Sequence, residues 1–271
     1  MSSFSSPRLL IALTFLSLFG IGCLSSSSRV PTPVADEPSA AAPAAAPASL
    51  RSACEHPYYP IRDGYSVTFK DSFNSLIDGR PTVDHYTWRA TNVGPTSAKL
   101  DVVFASTGLH STQELTCQNG ALMARAYVDL SSSNRAFKVE TTAASGEYLP
   151  RDFVVGSVWQ QSYTILMKPT GAPRAGDLGS TPDMHGTVTI NHQAVAEERV
   201  TVPAGTYTAI KVKSSMTMKL DAVRGGLSAE LPGVQIESIE WWVRGVGLVK
   251  AHTQMGAGYT AMSEAETVVI P

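Results

Sequence analysis

The chain has 271 residues, 43% of them hydrophobic and 16% charged, and its 21 basic and 23 acidic side chains leave a formal net charge of −2. That balance, with no basic stripe, argues against nucleic acid as a partner. Past the first 22 residues no apolar run is long enough to cross a bilayer as a helix, which takes roughly 20 residues.

The chain opens with Arg8 and an apolar run from Leu9 to Phe19, closed by Gly20-Ile21-Gly22-Cys23. The run is too short for a comfortable membrane span and fits the apolar region of a secretory signal. With Gly22 and Cys23 at its end, the segment resembles the bacterial lipoprotein signal, the lipobox. Gly20 departs from the Leu usual in that family. The resemblance implies that residues 1–22 are a cleaved signal peptide and that Cys23 is lipidated. Cys23 would then be the first residue of the mature chain, which would reside in the cell envelope. Leu24 in place of Asp implies the outer rather than the inner membrane in a Gram-negative host. An ordinary cleaved signal and an uncleaved anchor are the other readings. Two or three acyl chains would hold the protein firmly, since each buried methylene contributes about 0.8 kcal/mol and one chain alone is marginal.

Residues 23–51 are rich in Ser, Pro and Ala, and hold almost no large apolar side chain. Such a segment cannot offset the entropy of ordering, and its prolines interrupt every Ala run. It reads as a tether. Residues 52–271 are expected to form one β domain.

Cys54 and Cys117 are an even pair that an oxidising compartment would bond. Cys117 also precedes Asn119-Gly120, the strongest short hairpin signal. A two-residue turn there sets Cys117 opposite Leu122, on an inward face with Leu115 and Ala124. A buried free thiol therefore stands beside the disulfide as an alternative.

Period-two alternation dominates the rest. It predicts strands over 65–70, 84–92, 97–106, 121–130, 157–167, 187–201, 206–220, 236–244, 247–254 and 259–270. Turns are marked by Asp63-Gly64, Asp78-Gly79, Asn119-Gly120, Pro203-Ala204-Gly205 and Gly225-Gly226. Residues 169–184 read as a Gly/Pro-rich loop. Alternation with one polar face means antiparallel pairing. The expected fold is mostly β, about ten to twelve strands in a meander, forming a curved sheet, a half-barrel or a β-sandwich.

Three motifs then stand out: Tyr58-Tyr59-Pro60-Ile61 with Gly64, Thr201 to Tyr207 (TVPAGTY), and Trp241 to Lys250 (WWVRGVGLVK). Tyr148-Leu149-Pro150 with Val155-Gly156 and Trp159 adds a fourth. Together they resemble a family of uncharacterised bacterial secreted and lipid-anchored domains. The resemblance implies an antiparallel architecture similar to the curved half-barrels of periplasmic lipoprotein carriers, and it names no activity.

Catalytic signatures are thin. Gly245-Val246-Gly247 lacks the third glycine and the helix of a dinucleotide loop. His185 and His192 are oddly spaced, so a continuous strand sends them to opposite faces. Asp84, His85 and Ser106 make a triad only on paper. No catalytic residue, metal or cofactor is assigned. Trp159, Tyr163, Ile210, Val212 and Met216, with Trp241 or Trp242, could line an apolar groove on a concave face. The expected function is a membrane-anchored, non-enzymatic envelope lipoprotein that is structural or binds an envelope partner. The alternative is a carrier or sensor of an apolar ligand such as a lipid.

Overall fold

The computed structural model describes residues 54–74, 80–108, 110–126, 137–169, 182–224, 227–256 and 258–271. Cys23, the signal segment, the tether, residues 127–130, most of the 169–184 loop, and the Asp78-Gly79 and Gly225-Gly226 turns lie outside them.

Two meanders build one sheet. The first runs through β3 (Ser66–Asn74), β4 (Pro81–Thr91), β5 (Ser97–Phe104), β6 (His110–Gln118) and β7 (Ala121–Ala124). The second runs through β8 (Phe137–Gly146), β9 (Val158–Pro169), β10 (Asp183–Val202), β11 (Gly205–Arg224), β13 (Val234–Val243), β14 (Gly247–Met255) and β15 (Tyr259–Val269), with β12 (Leu227–Glu230) as a side branch on β11. Every pairing is antiparallel, as the alternating sequence requires.

The meanders are joined where the sequence gives no local hint. The last strand, β15, pairs with β3, so the two ends of the domain lie side by side in the 13-stranded sheet. The open seam falls between β7 and β8, which follow each other in the chain yet form opposite edges. Even there the edges touch: Leu122 N donates to Leu149 O at 2.9 Å, and Tyr148 N donates to Leu122 O at 2.6 Å. The sheet is thus nearly closed into a barrel. Its curl shows at the β10–β11 turn, where Ala204 N donates to Ala265 O of β15 at 2.9 Å.

A short hairpin of β1 (Glu55–His56) and β2 (Tyr59–Pro60) plugs one end. Tyr59 is fully buried, with its ring 5.6 Å from Trp242 and 5.7 Å from Tyr65, both edge-on. The disulfide Cys54–Cys117, with Cα atoms 5.0 Å apart, ties the plug to β6. Three of the four sequence motifs meet here. Gly245 N donates to Pro57 O at 2.7 Å, Tyr65 Oη donates to Val246 O at 2.9 Å, and Tyr148 lies 6.1 Å from Trp242. Gly247 has φ 109°, and a Cβ there would collide with the Tyr65 hydroxyl, so the second glycine of Gly-Val-Gly serves close packing.

Several expectations need correcting. The strand predicted over 121–130 ends at Ala124. β8, and the front of β6, were not foreseen. Their runs of Thr, Ser, Ala, Glu and Gln carry no apolar alternation, and their place is set by neighbouring strands. The fifteen described strands exceed the ten to twelve expected, and the single meander is two.

Candidate functional site

The predicted groove residues fall on two faces. Trp159, Tyr163, Ile210, Val212, Met216 and Trp242 point inward and belong to one packed apolar cluster, each no more than 9% exposed. They leave an apolar guest little room. Trp241 is on the outer face, opposite Lys211. Its Nε1 donates to Glu198 Oε1 at 2.7 Å, and the ammonium groups of Lys211 and Lys250 lie 5.4 and 5.7 Å from its ring. Glu198 is held below the usual carboxylate range, first by that Trp241 hydrogen bond and then by Lys211. This is a satisfied cross-strand cluster, in which cation and ring attract through the ring quadrupole.

Half-buried inner positions begin on the neighbouring strand and continue round to β4. Ser238 and Glu240 of β13, Thr253 of β14, and Tyr86 and Trp88 of β4 face inward by register yet stay half-buried. Glu240 Oε2 accepts from Trp242 Nε1 at 2.9 Å, but burial still pushes its carboxyl upward. Asp71 is raised by burial too. Its hydrogen bond from Ser263 Oγ, at 2.6 Å, opposes the rise, and the Asp84 charge adds to it. Among the described residues, the buried Tyr59 hydroxyl has no hydrogen-bond partner. The interior thus has an aromatic wall with a few carboxyls, a feature that the alternation of β13 and β4 did not single out.

A second buried polar chain was also missed. His192, 7% exposed, stacks on Trp159 with ring centroids 4.9 Å apart. Tyr163 Oη donates to Gln161 Oε1 at 2.5 Å, so the Gln161 amide nitrogen donates to His192 Nε2 at 3.1 Å. The ring proton then sits on Nδ1 and is donated to Ser214 Oγ, 2.7 Å away. Serine activation needs the reverse, an imidazole lone pair accepting the hydroxyl proton. Burial pushes His192 down to about 4. The odd spacing from His185 places the two on opposite faces of β10, His185 outward and His192 inward.

The paper triad separates as well. Ser106 Oγ donates to Asp84 Oδ2 at 2.6 Å, while the backbone amides of Ser106 and His85 donate to Oδ1 at 3.1 and 2.7 Å. The His85 ring turns instead to Glu266, 3.4 Å away. Asp84 accepts from its neighbour's amide in β4 and from Ser106 just after β5; it does not orient an imidazole.

At the plugged end a surface pocket of about 170 Å³ is lined by His56, Pro57, Tyr58, Phe153, Val154, Asp152 and the guanidinium-bearing Arg151 and Arg244. Phe153 and Tyr58 form its floor, with rings 4.8 Å apart and edge-on. Arg244 lies 5.0 Å over the Tyr58 ring. His56 is fixed as a neutral tautomer: Nε2–H donates to Pro150 O at 3.0 Å, and Nδ1 accepts from Tyr58 N at 3.1 Å.

Comparison with known proteins adds a fold and a partial family match. A family model described as DUF3108-like matches residues 177–259. A candidate lipoprotein from Parabacteroides distasonis ATCC 8503 has a similar structure, at 14% identity and a TM-score of 0.52, covering 78% of this chain and 98% of that one. A candidate exported protein with a YmcC-like fold from Bacteroides fragilis NCTC 9343 aligns at 15% identity and a TM-score of 0.48 over the same shares. No curated protein matches the chain.

Proposed function

We propose that this chain is an envelope lipoprotein, moored through lipid on Cys23, whose β domain is a non-enzymatic module for structure or partner binding. The observation that carries this reading is where the tether meets the fold. The chain arriving from Cys23 enters at Cys54, which is fully buried and bonded to Cys117. At the next residue it begins the β1–β2 hairpin, which carries the Tyr59 plug. A pull on the anchor is therefore transmitted into the main sheet through β6, not into a loose hairpin. The reversed hydrogen-bond direction at His192 and Ser214 supports a role without nucleophilic chemistry. The test is to change Cys23 to Ser and fractionate cells: the natural chain should follow the membranes and the variant should leave them.

A second reading, carriage or sensing of an apolar ligand, is favoured by the half-buried inner aromatics Tyr86 and Trp88. Native mass spectrometry of the domain separates the two readings. Lipid that co-purifies and is lost on changing Trp88 to Glu supports carriage, and a ligand-free domain supports the module.

A further inference from the structure

The plugged end gathers three features of different kinds. The first is charge. Arg151 and Arg244 line the same pocket, are exposed, and have no carboxylate within ion-pair distance among the described residues. Asp152 is the one acidic group of the pocket wall. His56 is held neutral, and nearby Arg62 is paired with Glu55 at 2.6 Å. The second is apolar exposure. Val154 and Val155 are 56% and 48% exposed on the loop beside the pocket, and Val158, 72% exposed, begins the strand that follows it. The loop is held in shape, since Ser157 N donates to Val154 O at 3.0 Å and Gly156 N to Ala194 O at 2.8 Å. The third is position. The described fold begins at Cys54, two residues before His56 of the pocket wall and shortly after the tether.

We propose that this end of the barrel docks on an anionic lipid surface. Arg151 and Arg244 meet headgroup phosphates, and Val154, Val155 and Val158 enter the acyl boundary. Guanidinium is the side chain best matched to phosphate oxygens. Exposed valines beside cations are the composition of an interfacial contact. Each Arg near an anionic surface strengthens binding about fivefold, and the pair about twenty-five-fold. The isolated contact is therefore weak. The stretch from Leu24 to Ala53 spans about 30 Å if coiled and about 90 Å if extended. With Cys23 in the same membrane, the contact becomes intramolecular and gains effective concentration. The inference rests on the anchoring reading only for that gain.

The test uses the unacylated chain from Leu24 onward, which keeps every strand, in flotation with vesicles of phosphatidylcholine alone or mixed with phosphatidylglycerol. The expected result is partition into the anionic vesicles, falling as salt rises. Changing Arg151 and Arg244 to Ser should weaken it about twenty-five-fold. Changing Val154 and Val155 to Asp should weaken it at least tenfold, and changing Lys138 and Lys168 on β8 and β9 should leave it unaltered. If a double variant fails to fold, Arg151→Gln alone, with its salt slope, gives the same readout. No partition of the natural chain overturns the proposal. So does partition indifferent to the Arg and Val changes, or calorimetric binding of glycerol phosphate without vesicle binding, which would mark a soluble ligand. Failure of the Cys23→Ser fractionation alone would remove the anchor and leave this contact standing.

Discussion

His192 carries a pH dependence of defined sign. Burial lowers its folded pKa to about 4, below the ordinary 6.5. The unfolded chain then takes up the proton first, so the contribution is whole above about 6.5 and is lost as pH falls towards 4. Its size is at most about 3 kcal/mol. Asp71 and Glu240, raised by burial, act in the opposite sense. The difference between the natural chain and His192→Gln isolates the histidine: melting curves from pH 7 to pH 4.5 should fall more steeply for the natural chain. Gly247 gives a second residue-scale prediction. Alanine there faces both φ 109° and the Tyr65 hydroxyl, so Gly247→Ala should cost about 2–4 kcal/mol in a denaturant titration, whereas alanine at the open Gly258 should cost under about 1 kcal/mol. At this scale the sequence showed faces but not partners. The parity of β9 placed Trp159 and Tyr163 inward, and adjacency put Trp241 and Trp242 on opposite faces. Nothing in the spacing said that Gln161, His192 and Ser214, from three strands, would share one proton chain.

The β6–β7 hairpin was the most legible element. Asn119 and Gly120 take φ 53° and 83°, and Cys117 lies opposite Leu122 with Leu115 opposite Ala124, as a two-residue turn dictates. That register aims Cys117 inward, where Cys54 meets it. The bond closes a loop of 63 residues, worth about 4 kcal/mol in the chain-entropy model. Reduction should lower the urea midpoint with little change in slope, and Cys54→Ala with Cys117→Ala should reproduce the reduced value. The clasp between β15 and β3 was illegible, because alternation describes each strand and not its distant neighbour. It joins the two meanders, so deleting Tyr259 to Pro271 should abolish cooperative unfolding of both. Two independent transitions would show that the meanders fold separately.

On the scale of the whole molecule, the sheet is clasped by the pairing of β3 with the last strand, nearly closed at the β7–β8 seam, and plugged by a disulfide-tied hairpin at the N-terminal end of the described chain. Composition and alternation were enough for an antiparallel β architecture, because one polar face per strand leaves few other solutions. The expected groove residues are packed instead of lining a cleft, because inward parity alone cannot tell a filled interior from a hollow one. Trp159 and Met216 are buried in the core cluster, and Tyr86 and Trp88, though only half-buried, pack against that same cluster. The central claim is the mooring of this barrel through Cys23, and its most direct test is mass spectrometry of the N-terminal peptide of the chain extracted from membranes. The account predicts a peptide that starts at Cys23 and carries acyl chains. A soluble chain, or a membrane chain that retains residues 1–22 with Cys23 unmodified, would contradict it.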